Sequence, residues 1–321
     1  MRYVLPALMA VGLFVSCKPD STAVSDGVWS TSIGIGPPTV IVVHGGPGLT
    51  HRYLRPEWDR LADSVRVVYY DQRGCGLSER TDSVSWQQHV DDLDSLVEEM
   101  SSDGSVHLAG SSWGSVLATL YALRKPGRIG ALILSGVPGK EFWPVYPWVV
   151  QAKDASCTVD TDSTVIYGDS TICYRADSVV MVTRLVPGSF TVRVTRGGEE
   201  IKPDTAVLDS AAVAASDRIH PVLAARMGMS CPGAAAATWR SVAKIKLSVD
   251  ELSSIDVPVL VIRGTEESPV GDWGESLGAL LGRATVESLD HAGHEPWLDR
   301  PDEFFDLVHS FLTEQDLAGN T

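Results

Sequence analysis

The feature that most constrains the fold is a regular alternation between short apolar runs and longer amphipathic stretches. Thr39 to Val43 is a continuous β-branched run, the pattern of a strand that is buried on both faces of a sheet. Further strands are predicted at Val65–Tyr70, Val106–Ala109, Ala131–Leu134, Val257–Ile262 and Ala284–Leu289. Helices are predicted at Trp86–Met100, Ser112–Arg124 and Asp302–Leu312. The alternation predicts the α/β class, with a mostly parallel, doubly wound sheet and helices on both of its faces.

The interval from Val137 to Leu247 interrupts this pattern. It is rich in Thr, Ser, Asp and Val, and it contains a predicted hairpin from Phe190 to Ile201 that turns at two glycines, followed by Ala-rich helical segments. Because the strand pattern resumes afterwards, the interval is interpreted as a cap inserted between two halves of one sheet, rather than as an independent second domain. The predicted boundaries are 31–137 for the first part of the core, 138–247 for the cap and 248–321 for the second part.

The N-terminal residues have the composition of a targeting segment. Leu5 to Val15 is mostly apolar but too short to span a bilayer, as in the apolar region of a signal peptide. It ends in Phe14-Val15-Ser16-Cys17, which resembles a bacterial lipoprotein box with Cys17 as the lipidated residue. The alternative is a plain secretory signal. Either interpretation predicts a signal peptide at 1–16, a polar tether at 17–30 and a location outside the cytoplasm. The lipoprotein interpretation places the protein in the bacterial cell envelope, and the alternative makes it secreted or periplasmic.

The net charge and the cysteine spacing argue against nucleic-acid binding and against a cysteine-based metal site. The net charge of −15 argues against nucleic acid, and it restricts membrane contact to an N-terminal lipid anchor. Cys157 and Cys173 flank a segment with a predicted turn, so they are expected either to form a disulfide across a hairpin or to be two buried thiols. No cysteine pair has the spacing of a metal site, so no metal is predicted.

The stretch "GSSWGS" at 110–115 places Ser112 between two glycines directly after a predicted strand. Alone, this short match is as consistent with chance as with a nucleophile. Three other loops after predicted strands carry "HGGPG" at 44–48, "RGTEE" at 263–267 and "DHAGHEP" at 290–296. Serine, acid and histidine therefore occur in the chain order of the α/β-hydrolase fold, and a glycine-rich loop is suited to presenting backbone N–H groups to an oxyanion. Together the four loops predict that Ser112 is a catalytic nucleophile.

The chain resembles the proline iminopeptidase family of α/β-hydrolases. The resemblance rests on "HGGPG" at 44–48, "DQRGCGLS" at 71–78, "GSSWGS" at 110–115 and "HAGHEPW" at 291–297, while the cap resembles tripeptidyl-aminopeptidase-like hydrolases more loosely. It implies Ser112 as nucleophile and His294 as general base, with His291 as the competing base. It also implies that the backbone N–H groups of Trp113 and of Gly46 or Gly45 form the oxyanion hole.

The triad acid is where the chain departs from the family. The acid falls at Glu267, where the family normally has aspartate, and Glu266 and Asp272 remain alternatives. Asp71 and Arg73 are expected to hold a loop beside the site through an internal ion pair. Cys75 is expected to be a packed thiol, and Trp86 and His89 are expected to be surface or packing residues.

Substrate recognition is the second departure. An aminopeptidase must bind a free ammonium, and the family's Trp-Glu pair for this purpose corresponds here to Trp239-Arg240. Other acids in the cap are alternatives, at Asp204, Asp209 and Asp217. Three functions are considered: an aminopeptidase on short peptides, an esterase or amidase on small acyl substrates, and an inactive scaffold used for binding. No cofactor is predicted, because a triad supplies both nucleophile and base.

Overall fold

The computed structural model describes most of the predicted core and part of the predicted cap. The described residues are 21–138, 163–167, 170–175, 178–186, 189–196, 199–201, 226, 231–242, 245, 247–266 and 273–319. The predicted signal peptide and Cys17 lie outside this range, as does the start of the tether. Within the described part of the chain, no helix has the length and apolarity required to cross a bilayer.

The strands of the described residues form two sheets. They are β1 Ser21–Ser25, β2 Val28–Gly34, β3 Thr39–Val43, β4 Arg66–Tyr70, β5 Val106–Ser111, β6 Leu132–Ser135, β7 Ser163–Tyr167, β8 Ser170–Arg175, β9 Ser178–Val186, β10 Ser189–Arg196, β11 Glu199–Ile201, β12 Val259–Gly264 and β13 Ala284–Leu289. The α-helices are α1 Trp86–Met100, α2 Trp113–Arg124, α3 Pro232–Val242, α4 Val249–Ser253, α5 Trp273–Leu280, α6 Pro296–Asp299 and α7 Pro301–Gly319. Short 3₁₀ helices occur at His51–Leu54, Glu57–Asp63 and Ser101–Asp103.

The larger sheet has eight strands in the order β1-β2-β4-β3-β5-β6-β12-β13. The strands from β4 to β13 in this order pair in parallel, whereas β1 with β2 and β2 with β4 pair antiparallel. Strand β3 lies beside both β4 and β5, so the chain winds outwards in two directions from the centre. The prediction of a mostly parallel, doubly wound sheet, the sheet of the α/β-hydrolase fold, is confirmed.

Apolar side chains cover both faces of this sheet, which explains the continuous β-branched runs. One buried cluster joins the sheet to α1, α2, α4 and α5, and the other joins it to α7 and to the 3₁₀ helix Glu57–Asp63. Every residue of β3 is buried, as expected for a central strand that is covered on both sides. The prediction of helices on both faces is therefore confirmed.

The start of the core differs from the sequence prediction. Residues 21–30 were assigned to the tether, but they contain β1 and the first three residues of β2. The core therefore includes residues from Ser21 onwards rather than from residue 31. Strand β1 is short and lies at the edge of the sheet, where Val24 is exposed and polar residues dominate, whereas β2 lies between β1 and β4. An edge strand needs only one weakly apolar face, so its sequence resembles that of a polar tether.

The smaller sheet lies between β6 and β12 in the sequence. Its five strands pair antiparallel in the order β11-β10-β9-β8-β7, and the β10–β11 pair confirms the hairpin predicted from Phe190 to Ile201. Strands β7 and β8 form another hairpin, in which Cys173 lies in register with Thr164. Cys157 lies outside the described residues, so its disulfide with Cys173 stays a prediction, as do the cap boundaries.

Helix α1 illustrates how one amphipathic stretch is tied to the sheet. Ser85 caps its N-terminus by accepting a hydrogen bond from the Gln88 N–H, and its buried face includes Leu93. Substituting Leu93 with Ala is expected to lower the free energy of unfolding by about 2–5 kcal/mol, because it leaves a cavity in the core. Denaturant titration measures this loss.

The control is Gln87→Ala on the exposed face of the same helix, for which a change within about 0.5 kcal/mol is expected. Equal losses in both variants would contradict the packing of α1 described above.

Candidate active site

Ser112 occupies a sharp turn between β5 and α2. Strand β5 ends at Ser111 and α2 begins at Trp113, so Ser112 is the single connecting residue. Its φ of 56° and ψ of −123° lie in a region that residues with a Cβ rarely adopt. The Ser112 N–H donates to the Ser135 carbonyl at the end of β6, at 2.9 Å. The strained turn places the serine side chain at the carboxyl edge of the sheet, partly buried.

The two glycines around Ser112 are required by close backbone contacts. A methyl group at Gly114 would lie 1.9 Å from the Val43 carbonyl oxygen, and one at Gly110 would lie 2.4 Å from the Gly114 carbonyl oxygen. No side chain fits at either position, because the clashing atoms belong to the backbone. The turn therefore packs directly against the end of β3, where the glycine-rich loop begins.

The glycine-rich loop, residues 44–48, adjoins the serine. A methyl group at Gly45 would lie 3.0 Å from Ser112 Cβ. The Gly45 N–H donates to Tyr53 Oη at 2.7 Å. Gly46 has a φ of 117°, and a methyl group there would lie 2.6 Å from the Gly48 nitrogen. Of the two glycines proposed for the oxyanion hole, Gly45 thus has its N–H engaged by Tyr53.

Gln72 connects the glycine-rich loop to the residue after the serine. Its side-chain amide donates to the His44 carbonyl at 2.8 Å and accepts from Trp113 Nε1–H at 2.9 Å. Its backbone N–H donates to His44 Nε2 at 3.0 Å. Gln72 and Trp113 are both buried, so these hydrogen bonds hold three loops of the site in one arrangement.

His44 is a neutral, structural histidine. Its Nδ1–H donates to the Gly45 carbonyl at 2.9 Å while its Nε2 accepts from Gln72, which defines the tautomer. Burial lowers the pKa of His44 to about 4, and the nearby charge of Asp71 only partly opposes this effect.

Asp71 and Arg73 both hold the loop that follows β4, but the predicted ion pair between these two residues is wrong. Asp71 Oδ1 accepts from the His51 backbone N–H at 2.9 Å and lies 2.8 Å from His51 Nδ1. Arg73 instead pairs with Asp92 on α1 at 2.7 Å and with Glu79 at 2.7 Å. Arg73 thus ties its own loop to α1, whereas Asp71 ties the loop to the 3₁₀ helix that begins at His51. Although burial alone would raise it, the pKa of Asp71 is lowered by the hydrogen bond and charge of His51.

His294 lies at the same edge of the sheet as Ser112. Gly136, the residue after β6, packs against it: a methyl group at Gly136 would lie 3.4 Å from His294 Cε1. Since the Ser112 N–H bonds to Ser135, both residues adjoin the end of β6. Asp299 on α6 accepts the Gly293 N–H at 2.8 Å and so anchors the residue before His294.

His291 has a different environment. Its side chain is 82% exposed, and Nδ1 lies 3.1 Å from Glu266 Oε1, itself 63% exposed. Glu266 is joined to this loop through its backbone, whose N–H donates to the Ala292 carbonyl at 2.9 Å. The carboxylate of Glu266 thus contacts His291 at the surface. Glu267 and Asp272, the other acid candidates, lie outside the described residues.

Helix α3 covers the site from the predicted cap. The Cys231 N–H donates to the Gly48 carbonyl at 2.8 Å, which links the start of α3 to the glycine-rich loop. Thr238 Oγ1 lies 2.9 Å from Nε2 of His89, and Trp239 packs edge-on against Trp113 with ring centroids 5.4 Å apart. Arg240 is exposed. Trp239 therefore packs over the site, whereas the side chain of Arg240 is exposed to solvent.

Three further residues have the environments expected of packing side chains. Trp86 and His89 are buried, which decides between the packing and surface alternatives, and Cys75 is a buried thiol as predicted. Among the described residues no group of three or more histidine, cysteine or acidic side chains is arranged to bind a metal ion.

Gln72 and Tyr53 were missed by the sequence analysis. Gln72 belongs to the motif "DQRGCGLS". The motif indicated that this loop lies near the site, but it did not indicate which groups Gln72 would bind. Tyr53 lies in a 3₁₀ helix with no distinctive motif. The cap acids proposed as alternatives, Asp204, Asp209 and Asp217, lie outside the described residues.

Comparisons with known proteins identify the family and the fold of this chain. The model of the alpha/beta hydrolase family matches residues 40–307. The proline iminopeptidase of Thermoplasma volcanium is 34% identical over 99 residues, which are 30% of this chain and 34% of that protein, so the chain matches about a third of this relative's length. The proline iminopeptidase of Lactobacillus delbrueckii subsp. lactis is 24% identical over 303 residues, 86% of this chain and 90% of that protein. A solved thermophilic esterase from Thermogutta terrifontis has a TM-score of 0.60 and 16% identity, over 93% of this chain and 99% of that chain, which shows a shared fold.

The buried histidines make the stability of this region pH-dependent. Burial lowers the pKa of His89 to about 3, well below the value of about 6.5 in an unfolded chain. As the pH falls from about 6.5, the unfolded chain binds a proton that the folded protein does not, so stability falls by about 1.4 kcal/mol per pH unit for each such histidine. In His89→Gln this fall is expected to be smaller by that amount, as measured by urea unfolding at several pH values between about 6.5 and 4.

Thr238→Val is the matched control, because it removes the hydrogen bond to His89 but keeps the imidazole. It should lower stability equally at every pH. If His89→Gln has the same pH profile as the wild type, His89 is not buried in the neutral form.

Proposed function

This chain belongs to the α/β hydrolase family, and we propose that it is a serine hydrolase, an aminopeptidase that releases N-terminal residues from short peptides. The observation that carries the proposal is the strained backbone of Ser112 at the start of α2, beside the glycine-rich loop. Strain of about 1–3 kcal/mol is retained only where the surrounding structure enforces it, and here it holds a partly buried serine at a strand end.

In the proposed reaction, Ser112 Oγ attacks the scissile carbonyl carbon and His294 accepts the hydroxyl proton. His294 then donates this proton to the leaving amine as the C–N bond breaks, which leaves an acyl-enzyme on Ser112. A water molecule attacks the acyl-enzyme with His294 again as the base, and the serine is regenerated. The close approach of Gly136 to His294 supports this assignment, because it places the imidazole next to the strand end that binds the Ser112 backbone.

The negative charge on the carbonyl oxygen would be stabilised by backbone N–H groups. Trp113 is the first residue of α2, and the first N–H groups of a helix have no partner within it. We assign the second donor to Gly46, because the Gly45 N–H donates to Tyr53. Gln72 would keep both donors in position, since it bonds to the Trp113 side chain and to His44.

For the acid we retain Glu267. Its neighbour Glu266 contacts His291 at the surface, whereas Glu267 follows directly on the segment that bonds to the backbone before His294. Asp272 stays the second choice. Separate Glu267→Gln and Asp272→Asn variants distinguish the two, because only the residue that orients His294 should lower kcat by orders of magnitude when its charge is removed.

Aminopeptidase activity is supported by the two proline iminopeptidases to which the chain is similar. A second candidate, an esterase or amidase on small acyl substrates, is favoured by one observation. The position of the amine-binding carboxylate is occupied by Arg240, whose exposed side chain carries the wrong charge to bind an ammonium. The similarity of fold to the Thermogutta esterase is compatible with this candidate. The third alternative, an inactive scaffold, does not account for the strain retained at Ser112.

A substrate comparison separates these candidates. We expect a prolyl or alanyl anilide with a free amine to be cleaved, its N-blocked counterpart to be cleaved much more slowly, and Ser112→Ala to reduce kcat by about a thousandfold or more. Ester turnover without anilide cleavage would instead identify an esterase. If none of the substrates is cleaved, or if Ser112→Ala matches the wild type, the proposed hydrolase is contradicted.

The general base is tested by a matched pair of variants. His294→Gln should lower kcat about a thousandfold or more, because the proton of Ser112 then has no acceptor. His291→Gln, only three residues away but 82% exposed, should retain activity within about twofold. The reverse pattern would assign the base to His291.

A further inference from the structure

Two cysteines that the proposed reaction does not use lie together beneath α3. Cys75 belongs to the loop after β4, and Cys231 is the residue before α3. Their side chains are hydrogen-bonded to each other, and both residues are thiols rather than a disulfide. They belong to a small buried cluster with Val84, Ala234 and Ala237. The exposed fractions are 2% for Cys75 and 7% for Cys231.

The surroundings distinguish the two sulfur atoms. The hydrogen bond from Cys75 lowers the pKa of the Cys231 thiol; burial opposes this effect, and the Gly76 N–H and the Arg80 guanidinium reinforce it. Arg80 Nη1 lies 3.3 Å from Cys231 Sγ. The pKa of Cys75 is raised, by its hydrogen bond to Cys231 and by burial. Cys231 is therefore the sulfur that favours the thiolate form, and Cys75 is the protonated thiol that donates a hydrogen bond to it.

The pair also joins two parts of the molecule that are distant in sequence. Cys231 is tied to the glycine-rich loop by its N–H bond to the Gly48 carbonyl, and a methyl group at Gly48 would lie 2.9 Å from Ala235 Cβ. A methyl group at Gly74, next to Cys75, would lie 2.6 Å from Ala234 Cβ. A bond between the two sulfurs would link α3 to the loops of the site without a large movement, because the backbones are already in contact.

We propose that Cys75 and Cys231 form a modification site, a dithiol that a small hydroperoxide oxidises reversibly to a disulfide between the core and α3. The burial of both sulfurs selects a small oxidant such as hydrogen peroxide and excludes a protein oxidant. Thiolate character at one sulfur beside a second thiol is the arrangement that favours this chemistry.

The reaction proceeds in two balanced steps. The Cys231 thiolate attacks one peroxide oxygen and the O–O bond breaks; the other oxygen leaves as hydroxide and takes up the proton released by Cys231, giving water and a sulfenic acid. Cys75 Sγ then attacks Cys231 Sγ and the S–O bond breaks, and the departing hydroxide takes the Cys75 proton as a second water. One peroxide is reduced and two thiols are oxidised to one disulfide, which an added dithiol reduces again.

Peptide mapping of the full chain tests the proposal directly. After treatment with hydrogen peroxide and blocking of remaining thiols, trypsin should release residues 74–80 and 227–240 as one cross-linked species that is about 2 Da lighter than the sum of the two peptides. Cys157 and Cys173 both lie in the tryptic peptide 154–175, so a disulfide between them gives a different product. Reduction with dithiothreitol should separate the cross-linked peptides.

Two variants test the roles of the cysteines and of Arg80. In Cys75→Ser, Cys231 lacks its resolving partner and should be oxidised to a sulfinic acid that dithiothreitol does not reverse. Fragmentation of peptide 227–240 must place the added mass of about 32 Da on Cys231, because sulfoxides at Met227 and Met229 would add the same mass. In Arg80→Gln, whose replaced side chain is exposed, disulfide formation near pH 7 should slow about threefold or more. Absence of the 74–80/227–240 species in the wild type would overturn the site. Absence of oxidation at Cys231 in Cys75→Ser would overturn Cys231 as the attacking thiolate, and an unchanged rate in Arg80→Gln would overturn the contribution of Arg80.

Discussion

The described part of the site depends on the buried hydrogen bonds of Gln72. Its side-chain amide bridges the glycine-rich loop and Trp113, and its backbone N–H sets the tautomer of His44. Buried polar groups must be paired, so none of these partners can move without leaving a donor or an acceptor unsatisfied, at a cost of about 1–3 kcal/mol. The geometry around Ser112 is therefore held by a polar network that itself has no chemical role.

Close backbone contacts impose the second constraint. Gly114 meets the end of β3, and Gly110 meets Gly114, so the serine turn is built against the strand that leads into the glycine-rich loop. The strain at Ser112 is maintained because relaxing its φ would rotate α2 away from these contacts. The same backbone contacts thus pack α2 against the central sheet and hold Ser112 in its strained turn.

The fold was largely predictable from the sequence, because the strands at the centre of the sheet are buried on both faces and have continuous β-branched runs. The run at Thr39–Val43 coincides with β3, and the predicted helix Trp86–Met100 coincides with α1. The edge strand β1 was not predictable, since only one of its faces needs to be apolar. Motif spacing identified Ser112 and the two histidines, and the family resemblance favoured His294 over His291; the structure adds that the His291 side chain is 82% exposed. Hydrogen bonds between loops, such as those of Gln72, Tyr53 and Arg73, depend on how the loops face each other, which no periodicity encodes.

Helix α3 shows why the recognition of substrate cannot be separated from the geometry of the site. Three contacts of α3 and of the residue before it reach elements around Ser112: Cys231 bonds to Gly48, Thr238 contacts His89, and Trp239 packs on Trp113. Since Trp239 is engaged in packing against the residue after the nucleophile, it cannot change its position to suit a ligand without disturbing the start of α2. The adjacent Arg240 is directed to solvent, so neither residue of this pair is suited to binding a substrate amine. In the proposed aminopeptidase, the carboxylate that binds the substrate's N-terminal ammonium is therefore expected at a position other than 240, while the described contacts of α3 hold the loops around the serine.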